Sequence, residues 1–254
     1  MPVPPGTTTT SGVFVADNFR DNLIVDRYDP VFVGMRASKL RHMRSANSED
    51  VVSWNVFRTL RQISPALWVP RLMSSAVGQS PSDDLESTTT ELWVNAAPPP
   101  ALLRDGDEGI SEIDIVLENP HWVFFIEAKL TSDISTGTTT RPERDQILRN
   151  IDVGSFYAGV RDFYFALLVR DYERSPKGVA MIREYADHSK LQARLPHRAD
   201  GLANVRATGL LTWSHLATVL ESLSESGSSL DTQCSARCLE WLQDHGIHPQ
   251  QSET

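Results

Sequence analysis

Apolar residues recur at helical spacing from Ser48 onward, where Val51, Val52, Trp54, Val56, Phe57 and Leu60 form a wide stripe. Ser48 stands at the N-cap position with Glu49 and Asp50 in the first turn, where carboxylates favour the helix dipole. The pattern predicts a helix of about 14 residues. Further on the period changes. ELWVNA, SEIDIVLE and WVFFIEAKL read as strands, and the first ends at Pro98-Pro99-Pro100, which cannot continue a ladder. Residues 144–160 return to helical spacing, and DFYFALLV, Asp162 to Val169, is a nearly continuous apolar run suited to a strand covered on both faces. A weak helix is expected over Gly178 to Ala186, a short strand over Gly209 to Thr212, a helix capped by Ser214 through Leu223, and a last helix from Asp231 to His245. ALWVPRLM reads as a short strand or a buried loop, and residues 74–90 as a flexible loop.

These elements predict an α/β fold with a mixed sheet flanked by helices on both faces and further peripheral helices. Residues 13–248 are expected to form one domain with its core over about residues 48–170, between a disordered tail at 1–12 and a frayed end at 249–254.

Composition narrows the classes. With 40% hydrophobic residues the chain of 254 residues can bury a substantial core. No apolar run reaches the length of a membrane span and MPVPPGTTTTSG lacks the features of an export signal, so no membrane partner is expected. The two cysteines, Cys234 and Cys238, fit a reducing cytoplasm. A net charge of −9 argues against a general nucleic-acid coat protein, but leaves room for an enzyme with a local basic groove. Arg36, Lys39, Arg41 and Arg44 in MRASKLRHMR are candidates for such contacts, against the plainer reading of a solvated helix face. The acidic balance also fits a protein that binds a basic partner.

Charge inside the apolar hairpin carries the chemistry. If Asn119 pairs with Trp122 around Pro120-His121, paired positions sum to 241, which places Asp114 opposite Glu127 and Glu112 opposite Lys129. Ile113, Ile115, Leu117, Phe124, Ile126 and Ala128 then share one face. The other face is apolar in the middle and charged at the end far from the turn. Cross-strand Cβ atoms lie about 4.5 to 5.5 Å apart, close enough for two carboxylates to share a cation. Hard divalent ions such as Mg²⁺ take oxygen ligands, and Asp114, Glu127 and the Ala128 carbonyl would supply them. Such an ion polarises a scissile phosphate and acidifies an attacking water, which Lys129 could orient. The plain alternative is an exposed hairpin end with Glu and Lys pairs. Gln146, Arg149 and Asn150 follow at one helical face, where Arg149 could grip a phosphate.

With these residues the chain resembles the PD-(D/E)XK nuclease superfamily over about residues 48–170. Asp114 matches the aspartate, Glu127-Ala128-Lys129 the acidic-x-Lys triplet, Glu49 the upstream helical glutamate and Gln146 the downstream amide. Ile113 stands where that motif has proline. The resemblance implies a restriction-endonuclease-like fold and a Mg²⁺-dependent nuclease, with Mn²⁺ able to substitute. It also implies DNA as the expected polynucleotide, with Arg144, Arg149, Asn150, Arg41 and Arg44 as candidate nucleic-acid contacts. Many members are dimers, which leaves a homodimer open. A catalytically silent binding or assembly module of the same fold is the alternative. Cys234, Cys238, His245 and His248 are better read as core and surface than as a zinc site, and Asp105 and Asp107 do not meet the offsets of a calcium loop.

Overall fold

A computed structural model describes residues 5–103, 109–137, 144–198, 201–226 and 228–250. In chain order the elements begin with β1 (Gly6–Thr8), β2 (Phe14–Ala16), α1 (Ala37–His42), α2 (Glu49–Leu60), α3 (Pro65–Val77), β3 (Thr89–Ala96) and α4 (Pro100–Leu103). They continue with β4 (Ser111–Glu118), β5 (Trp122–Ala128), α5 (Gln146–Ala158), β6 (Asp162–Val169), α6 (Pro176–Tyr185) and α7 (His188–Arg194). The last three are β7 (Val205–Thr212), α8 (Trp213–Ser226) and α9 (Ser229–Asp244). The chain divides into two compact units, Met1–Ile63 with Leu216–Thr254, and Ser64–His215.

In the first unit α2 packs against α9. Asn55, buried in the middle of α2, donates to the Asn22 carbonyl at 2.9 Å and accepts from the Ile24 backbone N–H at 3.0 Å. It thereby satisfies an irregular segment that has no ladder of its own. Residues 6–8 pair with Phe14–Ala16 as a two-stranded ribbon, which replaces the disorder expected there. α9 is capped by a capping box between Ser228 and Asp231 and starts at Ser229, two residues before its expected start at Asp231.

The second unit is built on a five-stranded sheet in the order β3-β4-β5-β6-β7. The β3, β4 and β5 neighbours are antiparallel, and β5, β6 and β7 are parallel. The molecule is therefore mixed α/β, with a mixed sheet flanked by helices, as the alternating periods predict. A parallel step needs a crossover, and α5 supplies the one between β5 and β6. Phe163, Phe165, Leu167 and Val169 of β6 share a buried cluster with Ile147, Leu148 and Ile151 of α5. At Gly154 the helix lies so close to the sheet that a Cβ would sit 2.2 Å from Phe163 Cζ.

α3 corrects the expectation of a strand or loop at ALWVPRLM. Pro65 at the first helical position presets its backbone, and Trp68, Val69, Leu72, Met73 and Ala76 make an apolar stripe. Pro70 sits inside the helix, where it removes one backbone donor; burial of that stripe holds the helix together nonetheless. α3 lies on the sheet face opposite α5. Gly209 is in register with Ala166, whose neighbours Phe165 and Leu167 point to α5, and a Cβ on Gly209 would meet the Ala76 carbonyl oxygen at 1.8 Å. α7 was not expected, and β7 extends four residues before its predicted start at Gly209, with an irregular register beside Phe163 and Tyr164. Among the described residues, no helix is long and apolar enough to cross a membrane.

Candidate functional site

The hairpin forms in the expected register. Asn119 N–H donates to the Trp122 carbonyl at 3.0 Å, and the Asn119 side-chain oxygen accepts from the His121 and Trp122 backbone N–H groups at 2.9 and 3.0 Å. This side-chain turn closes the loop without glycine. From there Glu118 pairs with Val123, Leu117 with Phe124, Val116 with Phe125 and Ile115 with Ile126.

At that point the ladder stops. The expected pairs Asp114 with Glu127 and Glu112 with Lys129 do not form; Glu112 is exposed and lies opposite Asn95 of β3. The Asp114 carboxylate takes over the backbone's task, its Oδ2 accepting from the Ala128 N–H at 2.9 Å. An N–H that would otherwise be unpaired is satisfied, and Asp114 is fixed beside the Glu127-Ala128 peptide. On its other side β5 stays joined to β6, with Lys129 N–H donating to the Leu168 carbonyl at 2.7 Å.

Glu127 is the centre of the site. Only 2% exposed, it lies on the face of β5 that carries Val123 and Phe125, and so turns toward α5. An isolated carboxylate buried this far would be strongly disfavoured, and three donors offset its desolvation. Lys129 Nζ and Gln146 Nε2 both reach Oε1, at 2.6 and 2.5 Å, while Asn150 Nδ2 reaches Oε2 at 2.6 Å. Gln146 and Asn150 are four residues apart on α5, one turn, which aims both amides at one carboxylate.

The start of α5 is itself held firmly. Asp145 caps it by accepting from the Leu148 N–H at 2.9 Å, and the Tyr185 hydroxyl donates to the other carboxylate oxygen. Burial and the adjacent Asp145 carboxylate push the Tyr185 hydroxyl well above its ordinary range, so it remains a donor. Gln146 is further anchored by its backbone, whose N–H donates to the Ser135 carbonyl at 3.1 Å.

Other expected residues have different places. Arg144, expected at a phosphate, is only 5% exposed and its Nη2 donates to the fully buried Asp152 at 2.9 Å. That interior pairing corrects its assignment as a nucleic-acid contact. Asn150, also expected at the polynucleotide, is buried on Glu127 instead. Arg149 is half-buried; its Nη2 lies 3.3 Å from the Gly109 and Ile110 carbonyls, and its Nε has no hydrogen-bond partner among the described residues. In the first unit, Glu49 opens α2, Asp50 is ion-paired with Lys39 at 3.3 Å, Arg41 is exposed, and Arg44 Nε donates to the Ala16 carbonyl at 2.7 Å. Asp105 and Asp107 lie outside the described residues.

Sequence reasoning missed Asp152. Arg144, Arg198 and His197 all converge on its carboxylate, and Arg198 Nη1 also donates to Ser155 Oγ at 2.6 Å. Asp152 stands one helical turn after the apolar Leu148 and next to Ile151, and that was the available signal, because burial there requires a cationic partner.

The donor chemistry fits a hard divalent cation. A carboxylate offers about four lone-pair positions. Among the described residues three donors reach Glu127 and leave one, on Oε2. Mg²⁺ is commonly held by one or two carboxylates and retains several waters. Among the described residues no group of three or more His, Cys, Asp or Glu side chains that could hold a metal ion is found, so a cation here would rest on two carboxylates, a carbonyl and water.

Compared with protein-family models, with curated proteins and with solved structures, the chain matches none.

Proposed function

We propose that this chain is a metal-dependent phosphodiesterase, a nuclease with DNA as its expected substrate, on a restriction-endonuclease-like version of its α/β fold. The observation that carries the reading is the buried Glu127 carboxylate. It is gripped by Lys129, Gln146 and Asn150, next to the peptide whose N–H binds Asp114. Two carboxylates, a lysine and a helical amide occur in the chain order that the PD-(D/E)XK resemblance implies. A Mg²⁺ ion held by Asp114, Glu127 and the Ala128 carbonyl would polarise the scissile phosphate and acidify an attacking water.

The chain's own groups do the rest. Gln146 orients the Glu127 carboxylate. Lys129, its ammonium 2.6 Å from Glu127 Oε1, would stabilise charge developing on the phosphate. Arg149, half-buried one turn along from Gln146 on α5, is the candidate contact to the polynucleotide backbone. The test is incubation of purified protein with single-stranded DNA, duplex DNA and RNA in Mg²⁺ and in Mn²⁺, beside Asp114→Ala. Cleavage by the wild type and none by the variant is expected; equal cleavage by a folded Asp114→Ala would overturn the assignment.

A second reading, a catalytically silent binding or assembly module, draws on the same carboxylate, because three donors already satisfy most of Glu127. Calorimetry separates the two. A wild type that binds neither Mg²⁺ nor Mn²⁺ is the silent module.

A further inference from the structure

We infer that Asn150 is a positioning residue that presents one oxygen of Glu127 to the divalent cation, an inference that rests on the metal-dependent reading above. The two oxygens of this carboxylate are not equivalent. Oε1 accepts from the Lys129 ammonium and from the Gln146 amide, which together occupy its two lone pairs. Among the described residues Oε2 accepts from Asn150 alone, at 2.6 Å, which leaves it one lone pair. A cation that leaves the three hydrogen bonds intact can therefore join Glu127 only through Oε2. Which side of Oε2 stays open is decided by where Asn150 Nδ2 sits.

Asn150 is suited to that role by its surroundings. It is 4% exposed, so its amide has no bulk water to turn toward. The helix that carries it is fixed on both sides. One turn before, Gln146 holds the same carboxylate and the Asp145 cap ties the helix start to Tyr185. Two residues after, Asp152 is bound by Arg144, His197 and Arg198. Hydrogen bonds from such outer partners orient metal ligands, and losing one typically costs about 10- to 100-fold in metal affinity or activity.

The experiment is calorimetric titration of the whole protein with Mg²⁺ and with Mn²⁺, comparing the wild type with Asn150→Leu, Asn150→Ser and Asn150→Gln. Asn150→Leu keeps the volume and removes the donor, and Asn150→Ser removes the reach with less risk to folding. Circular dichroism selects the folded variants. The expected result is a metal affinity weakened about tenfold or more in Leu and Ser. Recovery in Gln, which restores an amide, would separate orientation from mere packing. A wild type that binds metal with folded Leu and Ser variants binding equally well overturns the role of Asn150 while leaving the metal site standing. A wild type that binds no metal overturns the metal-dependent reading itself, and this inference with it.

Discussion

Replacing Asp152 with leucine is the severest single test of how α5 is held. The Asp152 carboxylate is fully buried and carries Arg144 at 2.9 Å, Arg198 at 3.0 Å and His197 Nε2 at 2.7 Å. Leucine fills a similar volume but leaves two guanidinium groups, each with a side chain 6% exposed, facing an apolar group. Removing one member of a buried ion pair costs about 3 to 5 kcal/mol, chiefly because the remaining charge is uncompensated. Arg198 keeps the Ser155 hydroxyl and the Asp152 carbonyl, so its loss is cushioned; Arg144 loses the carboxylate it grips. The expected loss is about 4 kcal/mol. For a protein of this size, each kcal/mol shifts the melting temperature by about 2 to 4 °C, giving a fall of about 10 °C or more. Thermal and urea unfolding followed by circular dichroism measure both. A loss below about 1 kcal/mol would refute the reasoning, since it would mean that the two arginines find water or other partners without Asp152.

Gly209→Ala places a Cβ against the Ala76 carbonyl, a backbone atom that cannot rotate away, so a loss of about 3 kcal/mol is expected in urea unfolding; a neutral effect would contradict the packing of α3 on β7. Burial pushes the Cys238 thiol up to about 12, whereas Cys234 is half-buried, so one thiol per native chain should react readily with a thiol reagent at pH 8 and both after unfolding. Because the folded value is raised, the Cys238 contribution to stability is complete below the ordinary value of 9.0 and is lost as pH rises toward 12, which urea unfolding of Cys238→Ala across that window would test by its flatter pH dependence. Asn119→Ala removes the acceptor for two backbone N–H groups and the donor to the Asp83 and Asp84 carbonyls, and should cost about 1 to 3 kcal/mol; an unchanged melting temperature would count against the turn as described.

Much of the hairpin was legible because strand geometry is periodic. Once Asn119 and Trp122 were paired, every later pair down to Ile115 and Ile126 followed, and the run DFYFALLV coincides with β6. The register could not reveal where the ladder ends. That depends on the Asp114 side chain replacing a backbone acceptor, a choice made in three dimensions. Gln146 and Asn150 were legible as one helix face, yet what that face meets depends on how closely Gly154 lets α5 approach the sheet. Pro70 hid α3, since a proline inside a helix is normally a stop signal and only the burial of Trp68, Val69, Leu72 and Met73 outweighs it. Arg144 looked like a surface cation because Asp152, its partner, lies eight residues away on α5, beyond the reach of local pattern.

The most direct test of the central claim is the single-turnover cleavage rate of DNA in Mg²⁺ for the wild type and Lys129→Ala, with Mg²⁺ binding measured on both. Cleavage by the wild type is expected, with a rate about a hundredfold or more lower in the variant, the scale set by losing one group that stabilises transition-state charge. Metal binding should survive. Absence of cleavage by the wild type in Mg²⁺, or a Lys129→Ala rate equal to it, would contradict the claim.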